Sequence, residues 1–358
     1  MPYNIIDLFS GVGGLSYGFA RREEFRILAA NEIDPDIARA YQLNHPSVQM
    51  LNCDIRDLDG EMLQAALGGR TVHLILGGPP CQSYSTVGRR RMDGRARLFL
   101  EYRRVVELLM PRAFVFENVT GILSMEKGRL FRWVQDEFAA LGYELRAEVL
   151  NAVRYGVPQN RERVFLVGTL GPNGFTPPPP THGEGLLPPV TLGEALGDLP
   201  PLKSGEESGV YAAPPANDFQ RFVRDTDALT EHRSPRNAPH LIRLMEALGD
   251  GESKDDLPEE LRPRSGYPNT YAKLWWDRPS TTVTRNFACP SSSRCIHPRD
   301  SRAMSIREGA RLQSFPDSYR FWGGDGKKRL EIGNAVPPLL SMALAEEILR
   351  LLGPPPEE

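Results

Sequence analysis

The run Gly77-Gly78-Pro79-Pro80-Cys81-Gln82-Ser83-Tyr84-Ser85 gathers the reactive chemistry of this chain. It follows a short apolar stretch, Val72 to Leu76, that reads as a buried strand. Gly and Pro end that strand abruptly. Cys81 is therefore expected at the carboxyl end of a strand, on a turn with little side-chain bulk. In open α/β sheets that edge is where ligands bind. A free cysteine more often behaves as a small buried hydrophobe. Here two prolines stiffen the approach, and Gln82, Ser83 and Ser85 add polar groups with no core to fill, which favours a reactive thiol.

Other strands must present their ends on the same edge. Ile5 to Phe9 reads as a strand, Ser10 to Gly14 as a glycine-rich turn, and Leu15 to Arg22 as a helix. That is the opening unit of a doubly wound α/β sheet. Arg26 to Asn31 is a second strand, ending in Glu32, and a third short segment ends at Cys53-Asp54-Ile55. Arg97 to Leu109 reads as a helix, and Ala113 to Phe116 as a strand ending in Glu117-Asn118-Val119. Leu130 to Leu141 is helical; Tyr143 to Asn151 and Val164 to Val167 read as strands joined through Tyr155 to Pro158. The pattern breaks near Gly171, and the proline run Pro177 to Pro180 reads as a linker. Beyond it periodicity is weak, apart from helices at Leu241 to Leu248, Ser305 to Gln313 and Pro337 to Leu352.

The turn at Gly11, Gly13 and Gly14 fits NAD, FAD or S-adenosylmethionine, or simply a change of direction. Its spacing is not G-x-G-x-x-G. Glu32, one strand over, is placed to accept from ribose hydroxyls. Asp54, a further strand over, is placed to accept from an adenine amino group, and Phe9 to stack on the ring. Each acid could equally cap a helix or sit in a solvated turn.

The chain has 358 residues and a formal charge of −3, enough for two domains. Four cysteines without a CxxC pair argue against a disulfide framework and a zinc site, so no metal is expected. No apolar run approaches the roughly 20 residues of a membrane span. The N-terminus enters a strand at once, so no signal peptide is expected. The cysteine usage suggests a reducing compartment, the cytoplasm.

Six stretches carry a resemblance. They are Asp7 to Gly14, Gly78 to Gln82, Glu117 to Val119, Gln159 to Arg163, Arg307 to Pro316 and Gly333 to Pro338. In this order they resemble the DNA cytosine-5 methyltransferases over nearly the whole chain. Ser10, where alanine is usual, is the small departure. The resemblance implies an S-adenosylmethionine-binding domain, 1–180 plus 323–358, and a smaller target-recognition domain, 181–322. It implies Cys81 as the nucleophile that adds to C6 of a flipped cytosine. Glu117 would meet N3 and the exocyclic amine, Arg163 would meet O2 and hold Glu117, and Arg161 ranks second to Arg163. The cofactor would be held by Phe9, Gly11, Gly13, Gly14, Glu32, Ile33, Asp54, Ile55, Pro80, Leu98, Asn334 and Val336. Asn334 could instead cap a helix, and Leu98 and Val336 could be core. DNA contacts would come from Gln82 and Ser85, from the basic loop of Arg89, Arg90, Arg91, Arg95 and Arg97, and from Thr282, Thr284 and Arg285. Arg278 and Arg294 add charge to that last segment. The implied partners are double-stranded DNA and a cognate restriction endonuclease, with the enzyme itself a monomer.

Three other readings compete. One branch of the family methylates tRNA, but its Cys-Phe-Thr signature is absent here. A flavin or nicotinamide oxidoreductase would explain only the glycine turn. A catalytically dead DNA-binding module conflicts with an intact Cys81, Glu117 and Arg163.

Overall fold

The computed structural model describes residues 1–80, 96–264 and 269–355. Cys81, Gln82, Ser85, Arg89, Arg90, Arg91 and Arg95 lie outside the described residues, and of Arg97 only the backbone is described. The chain divides into two compact units. One comprises residues 1–151, 162–179 and 340–358, the other 152–161 and 180–339. Residues 152–161 and 323–339, grouped with the sheet in the sequence reading, pack within the second unit.

The first unit is built on one sheet. Its elements are β1 (Tyr3–Leu8), α1 (Gly14–Ala20), β2 (Phe25–Asn31), α2 (Pro35–Asn44), β3 (Gln49–Leu51), α3 (Gly60–Leu67), β4 (Leu74–Gly77), α4 (Ala96–Leu109), β5 (Ala113–Val119), α5 (Arg129–Ala139), β6 (Tyr143–Asn151) and β7 (Glu162–Leu170). The strand order is β3-β2-β1-β4-β5-β7-β6. The first five strands run parallel, and β7 runs antiparallel to both β5 and β6. The chain winds outward from β1 to β3 and then restarts beside β1 with β4. That reversal opens a crevice at the carboxyl ends of β1 and β4.

A parallel sheet needs cover on both faces, so its strands read as unbroken apolar runs. Ile5, Ile6, Leu74, Ile75, Leu76, Phe114 and Val115 are all fully buried. Phe114, Phe116 and Tyr102 of α4 gather around Phe138 of α5, with ring centroids 4.3–6.3 Å apart. Local chemistry sets the helix starts. Asp34 caps α2 by accepting from the N–H groups of Asp36 and Ile37, with Pro35 at the first position. Asp59 caps α3, and Gly68 closes it in the left-handed conformation.

The second unit carries α6 (Leu192–Leu196), α7 (Asp218–Val223), α8 (Pro239–Glu246), β8 (Ala272–Lys273), β9 (Arg294–Ile296), α9 (Ile306–Leu312) and α10 (Asp325–Asn334). Its centre is α9, every residue of which is buried. Ser305 and Glu308 form a capping box at its start. Arg302 grips both carboxylate oxygens of Glu308, at 2.7 and 2.8 Å. Burial pushes the Glu308 carboxyl up, but the charge and hydrogen bonds of Arg302, joined by the nearby His297 and His232, together outweigh it and hold the group well below the usual range. Arg311 bonds Asp198 and Asp317, and Arg307 lies 3.5 Å from Asp317. Buried guanidinium groups persist only with such partners. The last helix, α11 (Pro338–Leu352), largely belongs to the first unit, where the Gly18 N–H donates to Ser341 Oγ at 2.9 Å.

Beneath the glycine turn lies a buried polar chain. Asp7, 1% exposed at the end of β1, accepts from Ser16 of α1, and Ser16 lies 3.0 Å from the Tyr41 hydroxyl of α2. Burial raises the Asp7 carboxyl to about 7, against the Ser16 bond, with the Glu32 charge adding to the rise. A raised carboxyl pKa favours the folded state below the unfolded value near 4, and that contribution is lost as pH rises to about 7. We therefore expect the stability of the protein relative to Asp7→Asn to fall between pH 4 and pH 7. A carboxyl raised from near 4 to about 7 sets that fall on the order of 4 kcal/mol. Urea titrations of both proteins at pH 4, 5.5, 7 and 8 check this; a difference that does not change with pH would place a charged carboxylate at Asp7.

Candidate active site

Glu117 and Arg163 meet where β5 ends and β7 begins. The two strands are antiparallel, with Val119 opposite Arg163 and Glu117 opposite Phe165. Arg163 therefore reaches diagonally across the ladder. Its Nε lies 2.9 Å from Glu117 Oε1, and the side chains are 12% and 13% exposed. A pair this sheltered is screened far less than a surface pair.

The turn after β4 runs beneath this pair. A Cβ on Gly78 would stand 2.7 Å from Glu117 Oε2, so the carboxylate lies where a side chain would be. A Cβ on Gly77 would stand 2.5 Å from the Tyr102 ring and 2.7 Å from the Leu8 carbonyl. Asn118 fixes the next residue, its Nδ2 donating to the Pro79 carbonyl at 3.1 Å while its Oδ1 accepts from the Val119 N–H. The structure thus brings Glu117, Arg163 and the lead-in to Cys81 together. Sequence reasoning had no signal for the Asn118 tie or for the seat that Gly78 provides.

The glycine turn presents a second set of groups. Gly11 and Gly13 have φ of 55° and 93°. Phe9 also has a left-handed backbone, φ 54°, which is uncommon for a bulky residue. Phe9 and Leu98 are half-buried and pack on the same core cluster as Ile55, which is itself buried. Glu32 Oε2 accepts from the Gly11 N–H at 3.1 Å and Oε1 from the Asp34 N–H at 2.9 Å. Each oxygen keeps a further lone pair for an outside donor. Burial raises the Glu32 carboxyl, and those two N–H bonds oppose the rise. Ile33 beside it is 61% exposed, an apolar side chain turned to solvent, and Pro80 is exposed as well. The Ser10 hydroxyl is buried with no hydrogen-bond partner among the described residues. Free acceptors on Glu32, apolar surface at Phe9 and Ile33, and an orphaned hydroxyl suit a nucleoside with its sugar hydroxyls. Asp54 differs from the expectation of a free acceptor. It caps a short turn and is gripped by the Arg56 guanidinium, which holds its carboxyl below the usual range.

Arg161 has a different place from Arg163. It is fully buried in the second unit and donates to the carbonyls of Val283, Gly333 and Ala335 at 2.9–3.0 Å. Gln159 is equally buried. It accepts from the Val283 N–H and donates to the Leu312 carbonyl and Gln313. Both clamp three segments together, which makes Arg161 a positioning residue instead of a group for a reacting base. Asn334, exposed at the end of α10, and Val336, buried, flank the clamped Ala335. The segment 280–285 is held by the same set. The Thr282 hydroxyl donates to the Asn160 carbonyl at 2.7 Å. Thr284 Oγ1 accepts from the Asn286 N–H and keeps its own proton. Arg285 is exposed beside it. No group of three or more His, Cys, Asp or Glu is placed to hold a metal among the described residues.

The model of the C-5 cytosine-specific DNA methylase family matches residues 3–350. The chain is 35% identical to Type II methyltransferase M1.HphI of Haemophilus parahaemolyticus, over 98% of this chain and 88% of that one. It is 37% identical to Type II methyltransferase M.DdeI of Desulfomicrobium norvegicum, over 96% and 88%. Among solved structures, a protein described as a DNA modification methyltransferase encoded within an E. coli prophage superposes with TM-score 0.77. It shares 26% identity over 98% of this chain and 99% of that one.

The seat under Glu117 gives a prediction. Gly78→Ala must displace the carboxylate or the turn that leads to Cys81. Misplacement of about 1 Å costs on the order of a hundredfold in rate. Tritiated methyl incorporation into duplex DNA should fall by that factor, with an unaltered circular dichroism spectrum; an unchanged rate would mean that the turn has slack.

Proposed function

The chain belongs to the C-5 cytosine-specific DNA methylases, and from that premise we propose that it methylates a cytosine flipped from duplex DNA through a covalent bond from Cys81 to C6. The observation that carries this reading is the Glu117–Arg163 pair seated over Gly78, three residues before Cys81.

C5 of cytosine is a poor nucleophile. Addition of the Cys81 thiolate at C6 moves the C5–C6 electron pair toward C5 and N3, which makes C5 reactive. Glu117 donates a proton to N3 and accepts from the exocyclic amine. Arg163 holds Glu117 in position and faces the developing charge at O2. Once C5 carries the methyl group, a water takes the C5 proton, the freed electron pair re-forms the C5–C6 double bond and expels the Cys81 thiolate, and N3 returns its proton to Glu117. S-adenosylmethionine, the cofactor of this family, supplies an electrophilic methyl group when bound. Glu32 would accept from its ribose hydroxyls, Phe9 and Ile33 would meet its base, and Gly11, Gly13 and Gly14 would let the backbone come close. Ile55, Pro80 and Leu98 would complete the apolar wall, with Asp54 at its edge.

The target atom is out of reach inside a stacked duplex, so the base is taken out of the helix. The basic loop Arg89 to Arg97, with Gln82 and Ser85, meets the DNA, and Thr284 and Arg285 meet phosphates. Because the Thr282 proton is committed to Asn160, that residue braces the segment. The first unit thus carries the chemistry and the second the recognition. The Type II names of the relatives support a role as the modification half of a restriction–modification pair, with an endonuclease acting on the same site. The enzyme acts as a cytoplasmic monomer. No described helix is long and apolar enough to cross a membrane.

A duplex carrying 5-fluorocytosine at the target tests the covalent step. Fluorine replaces the proton that must leave, so the adduct accumulates and shifts on a denaturing gel. Cys81→Ser should abolish the shifted band. Glu117→Gln should slow its appearance by about a hundred to ten thousand fold, the usual range for a lost general acid, while DNA still binds. A band that survives Cys81→Ser would move the nucleophile to another cysteine.

A further inference from the structure

The segment Trp275 to Arg278, just ahead of the 280–285 strip, is built with unusual care for a surface turn. Its backbone is pinned from α6. The Gly193 N–H donates to the Trp276 carbonyl at 2.8 Å and the Leu192 N–H to the Arg278 carbonyl at 2.9 Å. The Trp276 N–H donates to Asp250 at 3.1 Å. A Cβ on Gly193 would stand 2.5 Å from the Trp276 indole nitrogen, so the ring occupies space that glycine leaves. Each tryptophan is also faced by an arginine, Arg294 lying 4.2 Å from the Trp275 centroid and Arg299 3.8 Å from that of Trp276.

This frame holds out two charges that the fold does not use. Asp277 and Arg278 are 77% and 65% exposed, and their closest approach is 3.8 Å. An ion pair so exposed contributes little to stability. The Arg278 guanidinium lies 5.7 Å from the Trp275 ring, within cation–π reach, a contact that leaves its donors open to an outside acceptor. Attraction to phosphate needs only a positive charge on a flexible stem. Recognition of a base edge needs a fork in a fixed place. The strip that follows is fixed to the same body, with the Ser280 N–H on the Pro158 carbonyl and the Asn160 N–H on the Ser280 carbonyl, both at 2.9 Å.

We propose that Asp277 and Arg278 read a G·C pair of the recognition sequence, Arg278 through guanine O6 and N7 and Asp277 through the cytosine amino group. Arginine to guanine and carboxylate to the cytosine N4 amine are the pairings that major-groove geometry favours. The proposal rests on the reading of this chain as a methylase of duplex DNA, and it adds the residues that select the site.

The test uses the full-length enzyme, S-adenosylmethionine and a library of duplexes with randomised positions around a cytosine. Methylated products are sequenced after bisulfite conversion, which gives the preference at each position. The natural enzyme should require guanine at one position served by Arg278. Arg278→Ala and Arg278→Lys should each relax that position on the order of ten- to a hundredfold and leave the other positions unchanged. Lysine keeps the charge and loses the fork, so its relaxation separates base reading from phosphate attraction. Asp277→Asn should relax discrimination at the same base pair. Arg285→Ala serves as a reference that weakens all sequences alike. An Arg278→Lys enzyme with native preferences, or an Arg278→Ala enzyme slowed equally on every sequence, would overturn the proposal. A natural enzyme that methylates no duplex would instead overturn the reading on which it rests.

Discussion

A carboxylate can lie across the turn that leads to Cys81 only because Gly77 and Gly78 have no Cβ. Gly77 admits the Tyr102 ring and the end of β1, and Gly78 admits Glu117. The sheet makes this possible. Its order reverses at β1 and β4, so the ends of β1, β4 and β5 share one edge. The antiparallel β7 then brings Arg163 back against β5 from the other side. An all-parallel sheet would start its next strand at the opposite edge and leave Glu117 without a partner there.

Four buried arginines do structural work. Arg161, Arg302, Arg307 and Arg311 are fully buried, and each ends on carbonyls or carboxylates. Such groups add little net stability over an apolar core, yet removing one partner leaves an uncompensated charge. They fix which segments meet. Arg161 and Gln159 clamp 283, 312–313 and 333–335 into one arrangement, on which the placement of Thr284 and Arg285 depends. Motif residues of identical type thus divide between the site and its scaffold.

Much of the sheet was legible because buried parallel strands write themselves as apolar runs ended by Gly, Pro or acids. The strands read as Ile5 to Phe9, Val72 to Leu76 and Ala113 to Phe116 are observed as Tyr3–Leu8, Leu74–Gly77 and Ala113–Val119, with ends shifted by up to three residues. The helices α6, α7 and α10 were not. The first two are five and six residues long, held by Thr191 and Asn217 caps, and α10 is mostly polar and glycine-bearing, so none has a readable apolar stripe. Glu117 and Arg163 were legible as residues, but their 2.9 Å contact was not, because it depends on strand pairing between β5 and β7. The Arg56 grip on Asp54 and the Arg161 clamp were invisible for a related reason. A guanidinium reads the same in sequence whether it faces substrate, solvent or carbonyl oxygen.

Glu117 and Arg163 act as one unit in this mechanism. A double-mutant cycle of Glu117→Gln and Arg163→Lys, read as the single-turnover rate of methyl transfer to duplex DNA, tests this directly. Because Arg163 holds Glu117 as well as facing O2, the double variant should be slower than Glu117→Gln alone by much less than Arg163→Lys slows the natural enzyme, a strongly non-additive result. Multiplying losses, with the double variant slower by the product of the two single effects, would mean that the residues act independently and would contradict the account.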